Sequence, residues 1–175
     1  VVLVSGPTNL SVPAGIEFQS VETAEQMLAT VVQWQEWADV IIAAAAVADY
    51  TPVEPQAGKI KRSEGEFLLR LRPAVDVLAN LSARRRAGQM LVGFALEVEA
   101  EWVAAEQKRQ SKGVDLLVLN CLRWGRSGFG GEENTIALFL PDGRIRMFPP
   151  RSKRVCAEWI ANAIEEFLQS TQLLP

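Results

Sequence analysis

The stretch from Asp39 to Tyr50 constrains the fold more than any other part of the sequence. Its apolar residues, Val40 to Ile42, give way to four consecutive alanines and then to Asp49. Such a run predicts a buried strand, and the small side chains near its end leave room for a ligand to approach the backbone. A basic cluster, Lys59-Ile60-Lys61-Arg62, follows it. Because open α/β sheets bind ligands beyond the carboxyl ends of their strands, we expect a binding site here.

The rest of the chain alternates between strand and helix patterns. Strands are predicted at residues 1–5, 16–21, 39–49, 66–72, 90–95 and 114–119, and helices at 23–37, 76–86 and 97–112, with capping residues at Thr23, Gln26 and Asp76. Pro141-Asp142-Gly143 separates two further strands, and an apolar stripe from Val155 to Phe167 predicts a last helix. We therefore predict one Rossmann-like α/β domain, with a mostly parallel sheet, helices on both faces, and a C-terminal β-hairpin and helix.

Composition excludes several kinds of chemistry. With no histidine, the chain cannot form a Ser-His-Asp or Cys-His pair or an H-E-x-x-H zinc site. Cys121 and Cys156 are far apart in sequence, which predicts buried reduced thiols in a cytoplasmic protein. The net charge of −3 argues against broad nucleic-acid binding, and no apolar run reaches the ~18 residues of a membrane span. Lysines, carboxylates, amides and backbone N–H groups remain, and these serve phosphate and nucleotide chemistry.

The candidate binding residues also have simpler interpretations. Asp49 could cap the loop that follows it, and the basic cluster could be a solvated charged loop. Lys108 and Lys112 share one helix face, where like charges repel, and this favours an anion between them. Neither a Walker A motif nor G-x-G-x-x-G is present. Glycine motifs therefore do not decide between a phosphate-binding role and a purely structural role for these residues.

Several segments match one known family in chain order. They are 2–8 (VLVSGPT), 23–27 (TAEQM), 45–50 (AAVADY), 59–62 (KIKR), 92–95 (VGFA), Lys108, Lys112, 115–120 (DLLVLN) and 129–134. Together they resemble the phosphopantothenoylcysteine synthetase family, the ligase half of the bifunctional coenzyme A biosynthesis flavoprotein of bacteria. The segments AAVADY and KIKR at this separation are the most specific part of the resemblance.

The resemblance implies a ligase that joins 4'-phosphopantothenate to cysteine in coenzyme A biosynthesis. CTP, or ATP, would activate the carboxylate with Mg²⁺ present, and the amine of cysteine would then displace the nucleoside monophosphate. Lys59 would act on the triphosphate or the forming acyl-phosphate, and Asn120 would bind substrate. The implied nucleotide contacts are Ala43, Ala44, Ala45, Asp49, Lys59, Val75, Asp76, Val77, Leu78, Phe94, Lys108 and Lys112. A homodimer and a fused or associated flavin-dependent decarboxylase are implied as well.

The sequence departs from the family at its start and after Asn120. The family carries a glycine-rich strand-loop-helix with an S-S-G-K-M-G stretch ahead of the matched region, whereas Val1 to Val4 begin as a strand without a signal-peptide pattern. We therefore predict a single nucleotide-binding ligase domain over residues 1–175 that lacks its first strand-helix unit.

Individual positions differ from the family too. Cys121 and Val75 replace a usual Asp and a usual Pro, and Trp124, Arg126 and Gly130 make the loop after Asn120 atypical. Two alternatives are a non-catalytic nucleotide-binding or assembly module of the same fold, and a fragment of a dinucleotide-binding oxidoreductase. The missing glycine fingerprint disfavours the oxidoreductase.

Overall fold

The computed structural model describes residues 1–62, 64–98, 102–122 and 131–172. The elements in chain order are β1 (Val2–Ser5), β2 (Glu17–Ser20), α1 (Ala24–Gln35), β3 (Val40–Ala43), β4 (Tyr50–Pro52), β5 (Leu71–Pro73), α2 (Val77–Arg84), β6 (Met90–Glu97), α3 (Trp102–Ser111), β7 (Leu116–Cys121), β8 (Glu133–Phe139), β9 (Ile145–Ser152) and α4 (Lys153–Gln172). This order confirms the predicted α/β fold with its C-terminal hairpin and helix.

A five-stranded sheet forms the centre of the molecule, in the order β3-β6-β7-β8-β9. Strands β3, β6 and β7 are parallel, whereas β8 and β9 join as antiparallel strands. The parallel strands place their carboxyl ends along one edge, where Ala43 of β3 lies beside Gly93 of β6. This edge is where the sequence predicts a ligand site.

Helices cover both faces of the central sheet. Because side chains alternate along a strand, Leu91 and Leu117 face a core that also includes residues of α1, α2 and α3. Met90 and Leu116 face the opposite core, which α4 covers with the predicted stripe of Cys156, Ile160, Ala163 and Ile164. Strands β6 and β7 are thus buried on both sides, which accounts for their nearly continuous apolar sequences.

Two predicted strands are shorter in the structure. The strand expected over residues 39–49 ends at Ala43, and Ala44, Ala45 and Asp49 are exposed beyond it. Strand β3 is an edge strand paired only with β6, so Ile42 is 52% exposed, and the prediction of a buried strand up to Asp49 was wrong. Alanines have little surface to bury, which removes the driving force for continuing the strand.

The strand expected over residues 66–72 is reduced to β5, Leu71–Pro73. Its single partner is β4, a three-residue strand that ends in Pro52, so the ladder is short. Within the described residues, no helix covers the preceding segment, and Leu68 is 87% exposed. The alternation of apolar and polar residues at 66–72 predicted a half-buried strand. That pattern does not reveal whether a neighbouring strand of matching length is present to pair with it.

Strands β1 and β2 form a separate parallel pair. Val4 of β1 nevertheless packs against the same core as Ile41 of β3, below helix α1. Helix α1 begins with the predicted capping box, in which Thr23 and Gln26 exchange hydrogen bonds at 3.1 and 3.2 Å. Among the described residues, β1 and β3 each have one edge with no strand partner.

Over the part of the chain that the structure describes, none of the helices combines the length and the apolar character needed to cross a membrane.

Gly93 allows helix α2 to pack closely on the sheet. A Cβ atom at this position would lie 3.2 Å from Cγ1 of Val114 and 3.3 Å from Cδ2 of Leu78. Both neighbours are packed into the core, so a larger residue would force them apart. The close approach holds Leu78, and with it the first turn of α2, at the carboxyl end of the sheet.

We predict that Gly93→Val lowers the free energy of unfolding by about 1–3 kcal/mol through overpacking. The matched control is Gly58→Val, at a loop position where a Cβ meets nothing within 4 Å, and it should stay within about 0.5 kcal/mol of the unmutated chain. Urea unfolding measures both. An unchanged urea midpoint for Gly93→Val would contradict the close packing.

Candidate nucleotide site

Several of the predicted site residues lie at or near the start of helix α2. Ala43 lies beside Gly93 in the sheet, and Leu78 packs over Gly93 from the first turn of the helix. Val75 and Val77 anchor the helix start in the core, Val77 being buried. Ala44 and Ala45 follow as exposed backbone. The helix therefore begins directly above small side chains at the end of the strands.

Asp49 lies next to this helix start although it is distant in sequence. Its backbone carbonyl accepts a hydrogen bond of 2.8 Å from the N–H of Ala74. The same two segments continue into the antiparallel pair of β4 and β5, in which Tyr50 pairs with Pro73. Asp49 is thereby held beside Ala74, which lies two residues before Asp76 in the chain. The side chain of Asp49 is exposed.

Asp76 caps helix α2. Its carboxylate accepts a hydrogen bond of 2.9 Å from the N–H of Ala79 and forms an ion pair with Nζ of Lys112. Partial burial acts to raise the pKa of Asp76, but the hydrogen bonds from Lys112 and Ala79 outweigh it, so the pKa lies below its ordinary value. The predicted capping role is confirmed, and Asp76 remains charged at neutral pH.

Lys108 and Lys112 share one face of the α3 region, as predicted, and each is paired with a carboxylate. Lys108 Nζ lies 2.8 Å from Oε1 of Glu97, which ends strand β6, and Lys112 is paired with Asp76. We call these four residues the α3 charge row. The lysines are 43% and 34% exposed in their side chains, so an anion can reach them. The formal charge of the row is zero.

Phe94 and Asn120 lie on the sheet face opposite the charge row. Phe94, in the middle of β6, is 37% exposed, whereas its neighbours Gly93 and Ala95 are buried. Asn120 of β7 pairs with Leu96, and its Oδ1 is buried without a hydrogen-bond donor among the described residues. A buried amide oxygen of this kind is suited to accept a hydrogen bond from a ligand. The side chains of Cys121 and Cys156 are buried thiols, as predicted.

The structure does not bring Lys59 to these residues. Lys59 is exposed on the loop between β4 and β5, and within the described residues no hydrogen bond or ion pair joins it to the site. Ile60, Lys61 and Arg62 instead line a shallow depression with Phe67. The residues 123–130, which include the atypical Trp124, Arg126 and Gly130 and the start of the matched segment at Phe129, lie outside the described residues.

Glu97 was not predicted as a site residue, and its assignment to the start of the helix over 97–112 was wrong, because the structure makes it the last residue of β6 and begins α3 at Trp102. It has the same sequence signal as Asp49 and Asn120, because all three are polar residues that follow a run of apolar strand residues. Its partner Lys108 is eleven residues away, on the helix that follows. The predicted strand ended at Ala95, and only the tertiary structure extends β6 to Glu97 and brings α3 back so that Lys108 reaches it.

The start of α2 combines features that favour an anion with a carboxylate that already lies there. The positive end of the helix dipole and Lys112 are at this point, whereas the carboxylate of Asp76 accepts hydrogen bonds from the N–H groups of Leu78 and Ala79. Over the described residues, no group of three or more His, Cys, Asp and Glu side chains is placed to hold a metal ion. The fold defines an open α/β protein of the Rossmann-like class, in which helix α2 begins at the carboxyl edge of the sheet.

The comparison with family models identifies the chain more closely. The chain belongs to the family described as the DNA/pantothenate metabolism flavoprotein C-terminal domain, whose model matches residues 1–168. This confirms the predicted resemblance.

Curated relatives are longer than this chain. The Coenzyme A biosynthesis bifunctional protein CoaBC of Bacillus subtilis (strain 168) is 37% identical over 154 residues, which cover 87% of this chain and 38% of that protein. The protein of the same name from Mycobacterium tuberculosis (strain ATCC 25618 / H37Rv) is 37% identical over 179 residues, with coverages of 96% and 43%. The chain thus spans less than half the length of these relatives.

Solved structures share the fold. The C-terminal domain of a Coenzyme A biosynthesis bifunctional protein CoaBC superposes with a TM-score of 0.79 at 30% identity, covering 97% of this chain and 74% of that one. A Cab2 H337A mutant in complex with phosphopantothenate-cysteine has a TM-score of 0.64 at 18% identity, covering 89% and 55%, and shows the similarity of fold alone.

We predict that Asp76→Ala lowers the free energy of unfolding by about 1 kcal/mol, since the helix cap is lost. Asp76→Asn keeps a capping oxygen and should lose less. The control is Asp39→Ala, which also breaks an exposed ion pair, to Arg86, but caps no helix. It should stay within about 0.5 kcal/mol.

The effect of Asp76 should depend on pH in a defined direction. Because the pKa of Asp76 is lowered in the folded protein, its charge stabilises the fold above the unfolded-state pKa of about 3.9. That contribution is lost as pH falls through the lowered folded-state pKa. Unfolding of Asp76→Asn and of the unmutated chain should therefore differ most at neutral pH and converge in acid. A difference that grows below pH ~3.9 would contradict the assignment.

Proposed function

We propose that this chain is the nucleotide-binding part of a ligase that joins 4'-phosphopantothenate and cysteine in coenzyme A biosynthesis. The observation that carries the proposal is the convergence of Asp49, Val75–Leu78 and Lys112 at one helix start in a chain of this family. Supporting it, relatives 37% identical are bifunctional proteins of coenzyme A biosynthesis. A protein with the same fold was solved with phosphopantothenate-cysteine.

In the first half-reaction, a carboxylate oxygen of phosphopantothenate attacks the α-phosphorus of CTP. The bond from that phosphorus to the bridging oxygen breaks, pyrophosphate leaves, and an acyl-cytidylate is formed. Mg²⁺ enters as part of the nucleotide substrate. The N–H groups at the start of α2, with Lys108 and Lys112, neutralise the charge of the triphosphate and of the departing pyrophosphate.

In the second half-reaction, the amine of cysteine attacks the acyl carbon of this intermediate. The carbon–oxygen bond to the phosphate breaks, CMP leaves, and the amine gives up a proton as the amide forms. Neither half-reaction needs a histidine, which agrees with a chain that has none. The role assigned to Asn120 is to bind substrate, which its buried and unpartnered Oδ1 supports.

Lys59 acts on the triphosphate or the acyl-phosphate in this proposal, as the resemblance implies. The loop that carries Lys59 follows β4, which begins directly after Asp49, and the chain returns through β5 to the start of α2. Both ends of the loop are therefore anchored at the site although Lys59 itself is exposed. CTP rather than ATP is the proposed nucleotide.

The proposed domain includes one further strand-helix unit. Strands β1 and β3 contribute to a shared core, and each has an edge without a strand partner among the described residues, so a single parallel strand between them would join both sheets into one. We also propose a homodimer and a link to a flavin-dependent decarboxylase in the cytoplasm. The greater length of the bifunctional relatives supports this link.

Isothermal titration calorimetry with CTP, and with ATP, in the presence of Mg²⁺ tests the proposal. We expect CTP to bind to the unmutated chain. In an assay that follows pyrophosphate release on addition of phosphopantothenate, Lys59→Gln should lower the rate at least ~100-fold while retaining CTP binding, because charge stabilisation of this kind is worth about that much.

Arg144→Gln is the matched control, since Arg144 lies in the turn between β8 and β9, at the end of the sheet opposite the carboxyl edge. It should leave the rate unchanged. Failure of the chain to bind either nucleotide would overturn the proposed function. Nucleotide binding without acyl-nucleotide formation, together with no effect of Lys59→Gln, would instead identify a non-catalytic module of the same fold.

A further inference from the structure

Three buried side-chain oxygens lack a hydrogen-bond donor among the described residues. They are Oε1 of Gln89, Oδ1 of Asn120 and Oδ1 of Asn134. The amide of Gln89 has a structural task, because its Nε2 donates hydrogen bonds to the carbonyls of Gln35 and Ala38 at 2.7 and 2.6 Å. A buried oxygen without a donor destabilises a fold, and a ligand that brings a donor removes that cost. The two asparagine oxygens are therefore suited to a ligand.

Asn120 and Asn134 are neighbours on one face of the sheet. Asn120 of β7 lies opposite Ile136 of β8, and Asn134 is two residues from Ile136 along the same strand. Because side chains alternate along a strand, both amides lie on the face of Ile136, which packs in the core under α4. Diagonal neighbours of this kind are about 7–8 Å apart, so one small molecule can contact both side chains. We call Asn120 and Asn134 the amide pair.

A ligand can reach the amide pair from the carboxyl edge of the sheet. Phe94 of β6 lies diagonal to Asn120 on the same face, and it is 37% exposed. The side chains of Asn120 and Asn134 are only partly buried. Because the terminal torsion of an asparagine side chain is soft, rotation about it turns the amide oxygen toward a ligand at this edge.

The charges around the amide pair favour uncharged donors on an anionic molecule. At this end of the face, the residues of β6, β7 and β8 are Phe94, Leu96, Asn120 and Asn134, and none of these side chains is charged. Arg151 of β9 lies opposite Asn134, and within the described residues its guanidinium contacts no carboxylate. A buried ammonium group needs a carboxylate partner, whereas hydroxyl and amide N–H groups need only an acceptor.

We propose that Asn134 is a substrate-binding residue, and that the amide pair accepts hydrogen bonds from the secondary hydroxyl and the amide N–H of 4'-phosphopantothenate. The inference rests on the proposed function, which supplies this substrate and assigns Asn120 alone to it. The two donors flank a single carbonyl group of the substrate, so they can reach two acceptors that are neighbours. The substrate is an anion through its phosphate and its carboxylate, which agrees with the position of Arg151.

The first test is Asn134→Leu, which replaces the amide by an apolar group of similar size. Isothermal titration calorimetry should show an affinity for 4'-phosphopantothenate that is lower by about three- to tenfold, the net worth of one hydrogen bond. Urea unfolding should give a midpoint equal to or above that of the unmutated chain, because a buried oxygen without a donor has been removed. A lower midpoint would show a structural role and overturn the inference, as would an unchanged affinity.

The matched control is Asn162→Leu, the same substitution at an exposed position of α4. It should leave the affinity for 4'-phosphopantothenate within about a factor of two, as expected for surface substitutions. A loss equal to that of Asn134→Leu would show a general effect of the substitution and would refute the assignment to Asn134.

An analogue of 4'-phosphopantothenate with hydrogen in place of the secondary hydroxyl tests the pairing of donors and acceptors. The unmutated chain should bind this analogue about three- to tenfold more weakly than the substrate. One of the variants Asn120→Leu and Asn134→Leu should bind the two molecules equally, because it already lacks the acceptor for the hydroxyl. If both variants still discriminate between the two molecules, the proposed pairing is wrong.

A parallel titration with cysteine separates the two substrates. Asn134→Leu should bind cysteine as the unmutated chain does. Loss of affinity for cysteine, with affinity for 4'-phosphopantothenate unchanged, would assign the amide pair to the amine and overturn this inference. If the unmutated chain binds CTP but not 4'-phosphopantothenate, this inference fails and the proposed nucleotide site stands. Absence of binding to CTP, ATP and 4'-phosphopantothenate would overturn both.

Discussion

The burial of strands β6 and β7 on both faces is the constraint on which the rest of the structure depends. Their apolar side chains alternate between a core that includes α1, α2 and α3 and a core under α4, so helices are needed on both sides. Polar residues can then appear only where the strands leave the core. Glu97 and Asn120 occupy those ends, and Gly93 lets α2 approach the same edge. The position of the candidate site follows from the packing of the core.

The electrostatics of the site follow from how helices α2 and α3 meet. A helix start with one or two lysines attracts anions, and an acidic cap at that start reduces the attraction. Asp76 supplies the cap and pairs with Lys112, while Glu97 pairs with Lys108, so the site is balanced in charge before a ligand arrives. Each lysine of this row therefore already contacts a carboxylate in the structure.

Much of the fold was predictable, and the failures share one cause. The apolar runs of β6 and β7, the capping residues Thr23 and Asp76, and the stripe of α4 are local patterns, and the structure confirms them. The predictions for residues 39–49 and 66–72 were wrong because a strand also needs a partner of matching length. The same limit applies to the site: spacing places Lys108 and Lys112 on one face, but nothing local places Lys59, which the structure leaves on an exposed loop.

The sequence by itself determined the order of the elements, the two-sided burial of the central strands, the absence of histidine chemistry and the family resemblance. Each of these depends on the identity of residues or on periods of two and 3.6 residues, which are properties of the chain alone. Only the tertiary structure decided that Asp49 reaches the start of α2 through Ala74, that β1 and β3 each have an edge without a strand partner among the described residues, and that both lysines are paired with carboxylates. The reason is physical: these contacts join segments far apart in sequence, and they form only after the burial of the sheet has brought its carboxyl edge and the helix termini together.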